Sequence, residues 1–202
     1  MFVQVVQGRV RDADKLMAQW ERWEREVKPG AIGYLGTTAG IADDATFIAV
    51  ARFESREKAM QNSDRREQDA WWSQTAGCFE GEVEFHDCDR VDLFAGGGSD
   101  DAGFVQVMQG RVSDADLDRV RAISAEMEAK LPALRPDLIG GFVAEHGDGG
   151  YSSVNYFTTE AEARKGESQD YPDDVKALFE EWGRLVQGMR YIDLKEPWLS
   201  SA

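Results

Sequence analysis

The sequence is short of several residue types, and each shortage removes a class of function. Two cysteines among 202 residues cannot build a disulfide framework, and no four-ligand zinc motif is present. Only two histidines occur, and no Ser-His-Asp order, phosphate-binding loop or dinucleotide fingerprint can be traced. Basic residues number 23 against 38 acidic ones, a net charge of -15. That balance argues against nucleic acid and anionic membranes as partners, because both require clustered positive charge. No apolar run reaches the roughly 18 residues that a membrane-spanning helix needs. The first residues, MFVQVVQGRV, read as a strand rather than a signal peptide. A cytoplasmic protein that works without metal or cofactor is the expectation.

What is present is a repeat. Residues 2–14 read FVQVVQGRVRDAD and residues 104–116 read FVQVMQGRVSDAD, with two differences in thirteen positions. Pro29-Gly30-Ala31-Ile32-Gly33 is answered by Pro136-Asp137-Leu138-Ile139-Gly140, Phe53-Glu54-Ser55 by Phe157-Thr158-Thr159, and Phe85-His86-Asp87 by Tyr191-Ile192-Asp193. The matches keep their order, which marks a duplication. A period near 100 residues makes each copy a small domain: repeat 1 over 1–95, a Gly-rich linker over 96–103 and repeat 2 over 104–202.

Each copy switches its hydrophobic period in the same order. Phe2 to Val10 is apolar enough for a central strand. Leu16, Trp20, Trp23 and Val27 then recur at helical spacing after a cap at Asp12 or Asp14. Ile32 to Ile41 and Thr46 to Phe53 flank a turn at Asp43-Asp44. Ser55 opens a second helical stretch, and Asp64 with Glu67 suggests a capping box that restarts it. Val83 to Phe94 reads as a final strand. The second copy follows with a strand at 104–112, a helix at 114–131, a hairpin at 138–157, a helix broken at Pro172 and a strand near 189–195. Both copies are therefore βαββαβ, ferredoxin-like, and the fold class is α+β. One helical layer covers one sheet face, so the expectation is that the two sheets pack on each other.

Pro29-Gly30-Ala31-Ile32-Gly33-Tyr34, Phe53-Glu54-Ser55-Arg56-Glu57-Lys58-Ala59, and Asn62-Ser63-Asp64 with Ala70-Trp71-Trp72 resemble segments of the antibiotic-biosynthesis monooxygenase family. The resemblance implies a dimeric α/β barrel closed within one chain as an intramolecular pseudo-dimer, in a monomer or a homodimer. It implies cofactor-independent oxygenation of an aromatic or quinol-type molecule, or a binding or structural protein that kept the barrel without catalysis. The family's catalytic Asn, Trp and Tyr positions fall here on Ala49, Phe53 and Ala59, and on Ser153, Phe157 and Ala163.

The candidate site residues come from the strands. Gln7 and Gln109 are polar groups in central strands and must find partners there. Read with Gln109 on the cavity face, the second copy offers Tyr151, Ser153, Asn155 and Asp193 beside it. The first copy offers Gln7, Ala49, Ala51 and Asp87. The expectation is a polar, hydrated pocket in the second copy that takes a small aromatic ligand, and a smaller apolar one in the first. Trp71 either walls a flat ligand or packs against the other copy. Cys78, His86 and Cys88 raise a zinc site, but the spacing fits no zinc module and the second copy lacks counterparts. Buried thiols are the better reading, and His146 is expected in an exposed turn.

Overall fold

The computed structural model describes residues 1–202. The chain forms two compact units, Met1–Val91 with Pro197–Ala202, and Asp92–Glu196. No helix is long and apolar enough to cross a membrane.

The first unit runs β1 (Phe2–Val10), α1 (Ala13–Arg22), β2 (Tyr34–Ile41), β3 (Thr46–Phe53), α2 (Arg56–Ser63), α3 (Arg66–Thr75) and β4 (Phe79–Cys88). A strand β5 (Arg90–Phe94) follows, and the second unit continues with β6 (Phe104–Val112), α4 (Leu117–Leu134), β7 (Leu138–Glu145), β8 (Gly150–Phe157), α5 (Glu160–Glu167), α6 (Asp173–Leu185) and β9 (Val186–Leu194). The chain ends in β10 (Trp198–Ser201). The two sheets have the orders β10-β2-β3-β1-β4 and β5-β7-β8-β6-β9. Stripped of its first-named edge strand, each is the antiparallel βαββαβ sheet that the hydrophobic periods indicate.

The stretch expected as one strand, Val83 to Phe94, divides at Asp89: β4 edges the first sheet and β5 edges the second. Asp89 is turned outward into a two-pronged ion pair with Arg56 (2.8 and 2.7 Å), which also holds Asp87 (3.0 Å). Residues 96–103 have linker composition but are docked on the second unit. Gly97 is buried, and the Gly103 amide donates to the Phe157 carbonyl (3.1 Å).

Local chemistry accounts for the helix starts. Asp12 caps α1, its Oδ1 accepting from the Lys15 amide (3.0 Å), and Ser55 caps α2 through the Lys58 amide (3.3 Å). The box expected at Asp64 does not form. Asp64 ends α2, and α3 starts after Arg65 without a side-chain cap. Past Arg22 the chain loosens through a π-helical stretch, Trp23–Val27, that keeps both Trp23 and Val27 buried.

Register fixes which residues share a sheet face. In β1, Gln4 lies opposite Ala51 and Val6 opposite Ala49, whereas Gln7 lies opposite Ile48. The face of Val10, Phe47, Ala49 and Phe53 meets the helices, through Leu16, Trp20 and Trp72 and through Trp23 and Val27. On the other face Val3, Val5, Ile48 and Val50 are fully buried. The second unit repeats the pattern, with Gln106 opposite Asn155, Met108 opposite Ser153 and Gln109 opposite Ser152.

Candidate functional site

Between the helices and the sheet of the first unit lies a cavity of about 290 Å³. Its floor is Ala49 and Ala51, two small side chains in the middle of β3, and its walls are mostly rings. Five of the six tryptophans of the chain line it: Trp20, Trp23, Trp71, Trp72 and Trp198. Ring contacts close into a circuit. Trp198 touches Trp20 (5.7 Å between centroids), Trp20 stacks on Trp23 (6.0 Å), and Trp23 meets Trp71 (6.3 Å). Trp71 meets Trp72 (6.0 Å), which leads through Phe79 (6.4 Å) to Phe47 (5.4 Å) and back to Trp198 (6.0 Å). Large rings on the helices prop that layer off the sheet, and two alanines beneath leave the gap unfilled.

Two of the five indole N–H groups are taken up by acceptors of the protein. Trp23 Nε1 donates to Gln68 Oε1 (3.0 Å) and Trp71 Nε1 to the Gln19 carbonyl (2.8 Å). Those two rings therefore hold no free donor for a ligand.

Polar side chains also line the cavity, Thr37, Ser63, Gln68 and Thr75 among them, and two amides, Gln4 and Asn62, are oriented by their partners. Gln4 Nε2 donates to Asp87 Oδ1 (3.0 Å), whose other oxygen accepts from Arg56 (3.0 Å). A carboxylate only accepts, so the Gln4 amide nitrogen must face it, and Gln4 Oε1 is left without a protein partner on a cavity-lining side chain. Asn62 is held the opposite way. Its Oδ1 accepts from the Ile32 amide (3.1 Å) and from Arg65 (3.0 Å), which leaves the Nδ2 donor to the cavity side. Gln4 thus offers the cavity a fixed acceptor and Asn62 a fixed donor. Asp69, a lining residue in the first turn of α3, is exposed and its carboxylate carries no ion pair. Burial pushes the Tyr34 phenol above its usual range, and its hydroxyl donates to the Ser200 carbonyl (3.3 Å).

The sequence-derived candidates divide between faces. Trp71, Ala49, Ala51 and Asp87 stand at or beside this cavity, but Gln7 projects from the opposite face of β1, with Ile48. The same parity separates Gln109 from Tyr151, Ser153, Asn155 and Asp193. Gln109 donates to Ser152 Oγ (3.1 Å), which also meets His146 Nε2 (3.0 Å). His146 is thus a partly buried partner of Ser152 rather than an exposed turn residue. The glutamine on the helix-facing side is Gln4 in the first unit and Gln106 in the second, and reading the residues in sequence passed both over. Their placement follows from one residue of register, which moves every side chain to the other face.

The donors of the second unit's polar set find acceptors within that unit. Asn155 Nδ2 donates to the Gln106 carbonyl (3.2 Å) and to Ser153 Oγ (3.3 Å). Gln106 Nε2 donates to Asp193 (3.0 Å) and Glu167 (3.3 Å), and Arg164 binds the second oxygen of Asp193 while lying over the Phe104 ring (5.1 Å). Tyr151 is buried, its hydroxyl on Met189 Sδ (3.2 Å), and burial raises its phenol well above the usual range. The amide nitrogens of Gln106 and Asn155 are thus taken up within the second unit. Cys78 and Cys88 are both buried, and burial pushes the Cys78 thiol up. No cluster of three or more His, Cys, Asp and Glu side chains is placed to hold a metal ion.

No protein-family model and no curated protein matches the chain. Solved structures do. A "putative monooxygenase" from Fusobacterium nucleatum subsp. nucleatum superposes with a TM-score of 0.79 at 10% identity, over 99% of this chain and 94% of that one. One of the same designation from Lactobacillus acidophilus gives 0.74 at 11% identity, over 98% of both chains. An anthrone oxidase-like protein gives 0.67 at 13% identity, over 99% of this chain and 89% of that one. The chain therefore has the two-unit ferredoxin-like fold of these proteins along its whole length.

Proposed function

We propose that the first unit binds a planar, oxygen-bearing aromatic molecule of two or three rings. The observation that carries this reading is the aromatic cavity of about 290 Å³ with its two oriented amides, Gln4 and Asn62. Its volume sits at the lower end of the roughly 300–1,000 Å³ of ordinary ligand cavities, which suits a fused bicycle. A phenolic hydroxyl would donate to Gln4 Oε1, and a ring oxygen would accept from Asn62 Nδ2. 1-Naphthol is a direct probe. At about 0.5–0.6 kcal/mol per heavy atom, calorimetry should find a Kd of about 10–100 µM. Absence of saturable binding at about 1 mM would remove the reading.

A second reading, cofactor-independent oxygenation of such a molecule, is favoured by Asp69, a residue of the cavity lining whose carboxylate is not tied up in an ion pair. The names of the structural neighbours and the resemblance in the sequence point the same way. For an anthrone-type substrate the balance needs only dioxygen. One oxygen atom enters the methylene carbon, and the two hydrogens of that carbon leave with the other atom as water. Asp69 would take the first proton, and the substrate itself supplies the electrons. Oxygen uptake with anthrone tests this: Asp69→Asn should lower the rate about a hundredfold or more. Binding of 1-naphthol should stay within about twofold. Uptake no faster than in buffer would leave a non-catalytic binding protein.

A further inference from the structure

The last strand of the chain reaches the first unit only after the second has been written, and it brings a tryptophan with it. β10 pairs antiparallel with β2, Trp198 opposite Ala39 and Ser201 opposite Gly36. Ala39 in turn lies opposite Ala49. Residues opposed across strands share a face, so Trp198 stands on the helix-facing side, beside the cavity floor. Its indole packs between Trp20 and Phe47. The strand is pinned by Ser200, whose Oγ accepts from Lys28 Nζ (2.8 Å) and whose carbonyl accepts from Tyr34.

The second unit has an edge strand in the corresponding place, and the comparison is informative. There β5 lays Phe94 over Gly141, which lies opposite Asn155, and a Cβ on Gly141 would overlap that ring. The ring therefore occupies the room left by the missing side chain. In the first unit the equivalent of Gly141 is Thr37, opposite Ala51, and the covering ring sits two residues along, over Ala39. An aromatic edge residue that lies flat in one unit stands as a cavity wall in the other.

The geometry points to Trp198 as the residue that sets the size of ligand the first unit accepts, an inference that rests on reading the cavity as an aromatic-ligand site. The two can be tested apart. Protein labelled with 5-fluorotryptophan carries six reporters, five in the cavity wall and one, Trp182, in the second unit. Variants W198F and W182F assign two of the fluorine resonances. On adding 1-naphthol to the wild-type chain, the Trp198 resonance should shift and that of Trp182 should stay. W198A should weaken 1-naphthol about fivefold and strengthen the wider 1-hydroxypyrene by a similar factor, while W198F, which keeps a ring, changes either by less than about threefold. If no resonance moves, the aromatic-site reading falls and this inference with it. If the other cavity tryptophans respond and Trp198 does not, or if W198A leaves both affinities as in wild type, the inference alone is overturned. The wild-type spectrum carries the test should W198A fail to fold.

Discussion

Amide side chains look the same from either end until chemistry orients them. Gln4 is oriented by an acceptor that cannot donate, Asp87, and Asn62 by a backbone N–H that cannot accept. The Gln4 arrangement is duplicated. Gln106, Asp193 and Arg164 repeat Gln4, Asp87 and Arg56, and each arginine lies over the first-strand phenylalanine, Phe2 at 4.8 Å and Phe104 at 5.1 Å. In the second unit both bonds of the glutamine, to Asp193 and Glu167, run from Nε2, and the residue is only 6% exposed, so burial rather than hydrogen bonding keeps its Oε1 from a ligand. The two glutamines should therefore respond differently. A neutral hydrogen bond contributes about 0.5–1.5 kcal/mol, so Gln4→Leu should weaken 1-naphthol roughly two- to tenfold. Gln106→Leu should leave binding unchanged and lower stability instead. Calorimetry on both variants decides the matter, and equal affinities for Gln4→Leu and wild type would take Gln4 out of the site.

At the scale of elements, periodicity and capping signals made the helices and strands legible, and they misled where two signals competed. Ser55 and Asp64 both look like helix caps. Only Ser55 is followed by an amide within reach of its oxygen, whereas Asp64 closes α2, and the next helix waits for Arg65. Ser55→Ala should cost about 1 kcal/mol and Asp64→Ala only a few tenths, a difference that urea midpoints resolve. Strand parity was the harder problem. Val3 and Val5 on one face of β1 are as buried as Phe2 and Val6 on the other, so alternation of apolar and polar residues does not mark the helix-facing side. Gln4 and Gln7 are therefore interchangeable in the sequence. Only the pairing of Gln4 with Ala51 and of Gln7 with Ile48 separates them. The tryptophans were more legible one by one than together. Trp20, Trp23 and Trp72 fall on helical stripes, but their closure around a gap depends on Ala49 and Ala51, which the sequence offers merely as small residues.

For the whole molecule, the duplication could be read from thirteen near-identical positions, and the sheet orders follow it. The C-terminal edge strand could not, because pairing between residues about 160 apart leaves no local trace. Trp198 and Leu199 lie past the last strand expected from the sequence, yet they complete the first sheet beside Ala39 and Thr38. The first unit therefore depends on the end of the chain for a strand, for one wall of its cavity and for the Ser200 contacts to Lys28 and Tyr34. Removing residues 197–202 would expose β2 as an edge and withdraw the Trp198 ring from Trp20 and Phe47. Amides of β2 that point toward β10 should then exchange with solvent at least about tenfold faster, while those of β8, inside the second sheet, keep their wild-type rates. The same truncation should abolish 1-naphthol binding without unfolding the second unit. Hydrogen exchange followed by mass spectrometry reads both units in one experiment. Unchanged exchange in β2 would mean that the C-terminal strand adds little to the first sheet, and an equal rise in β8 would mean that its loss is not local.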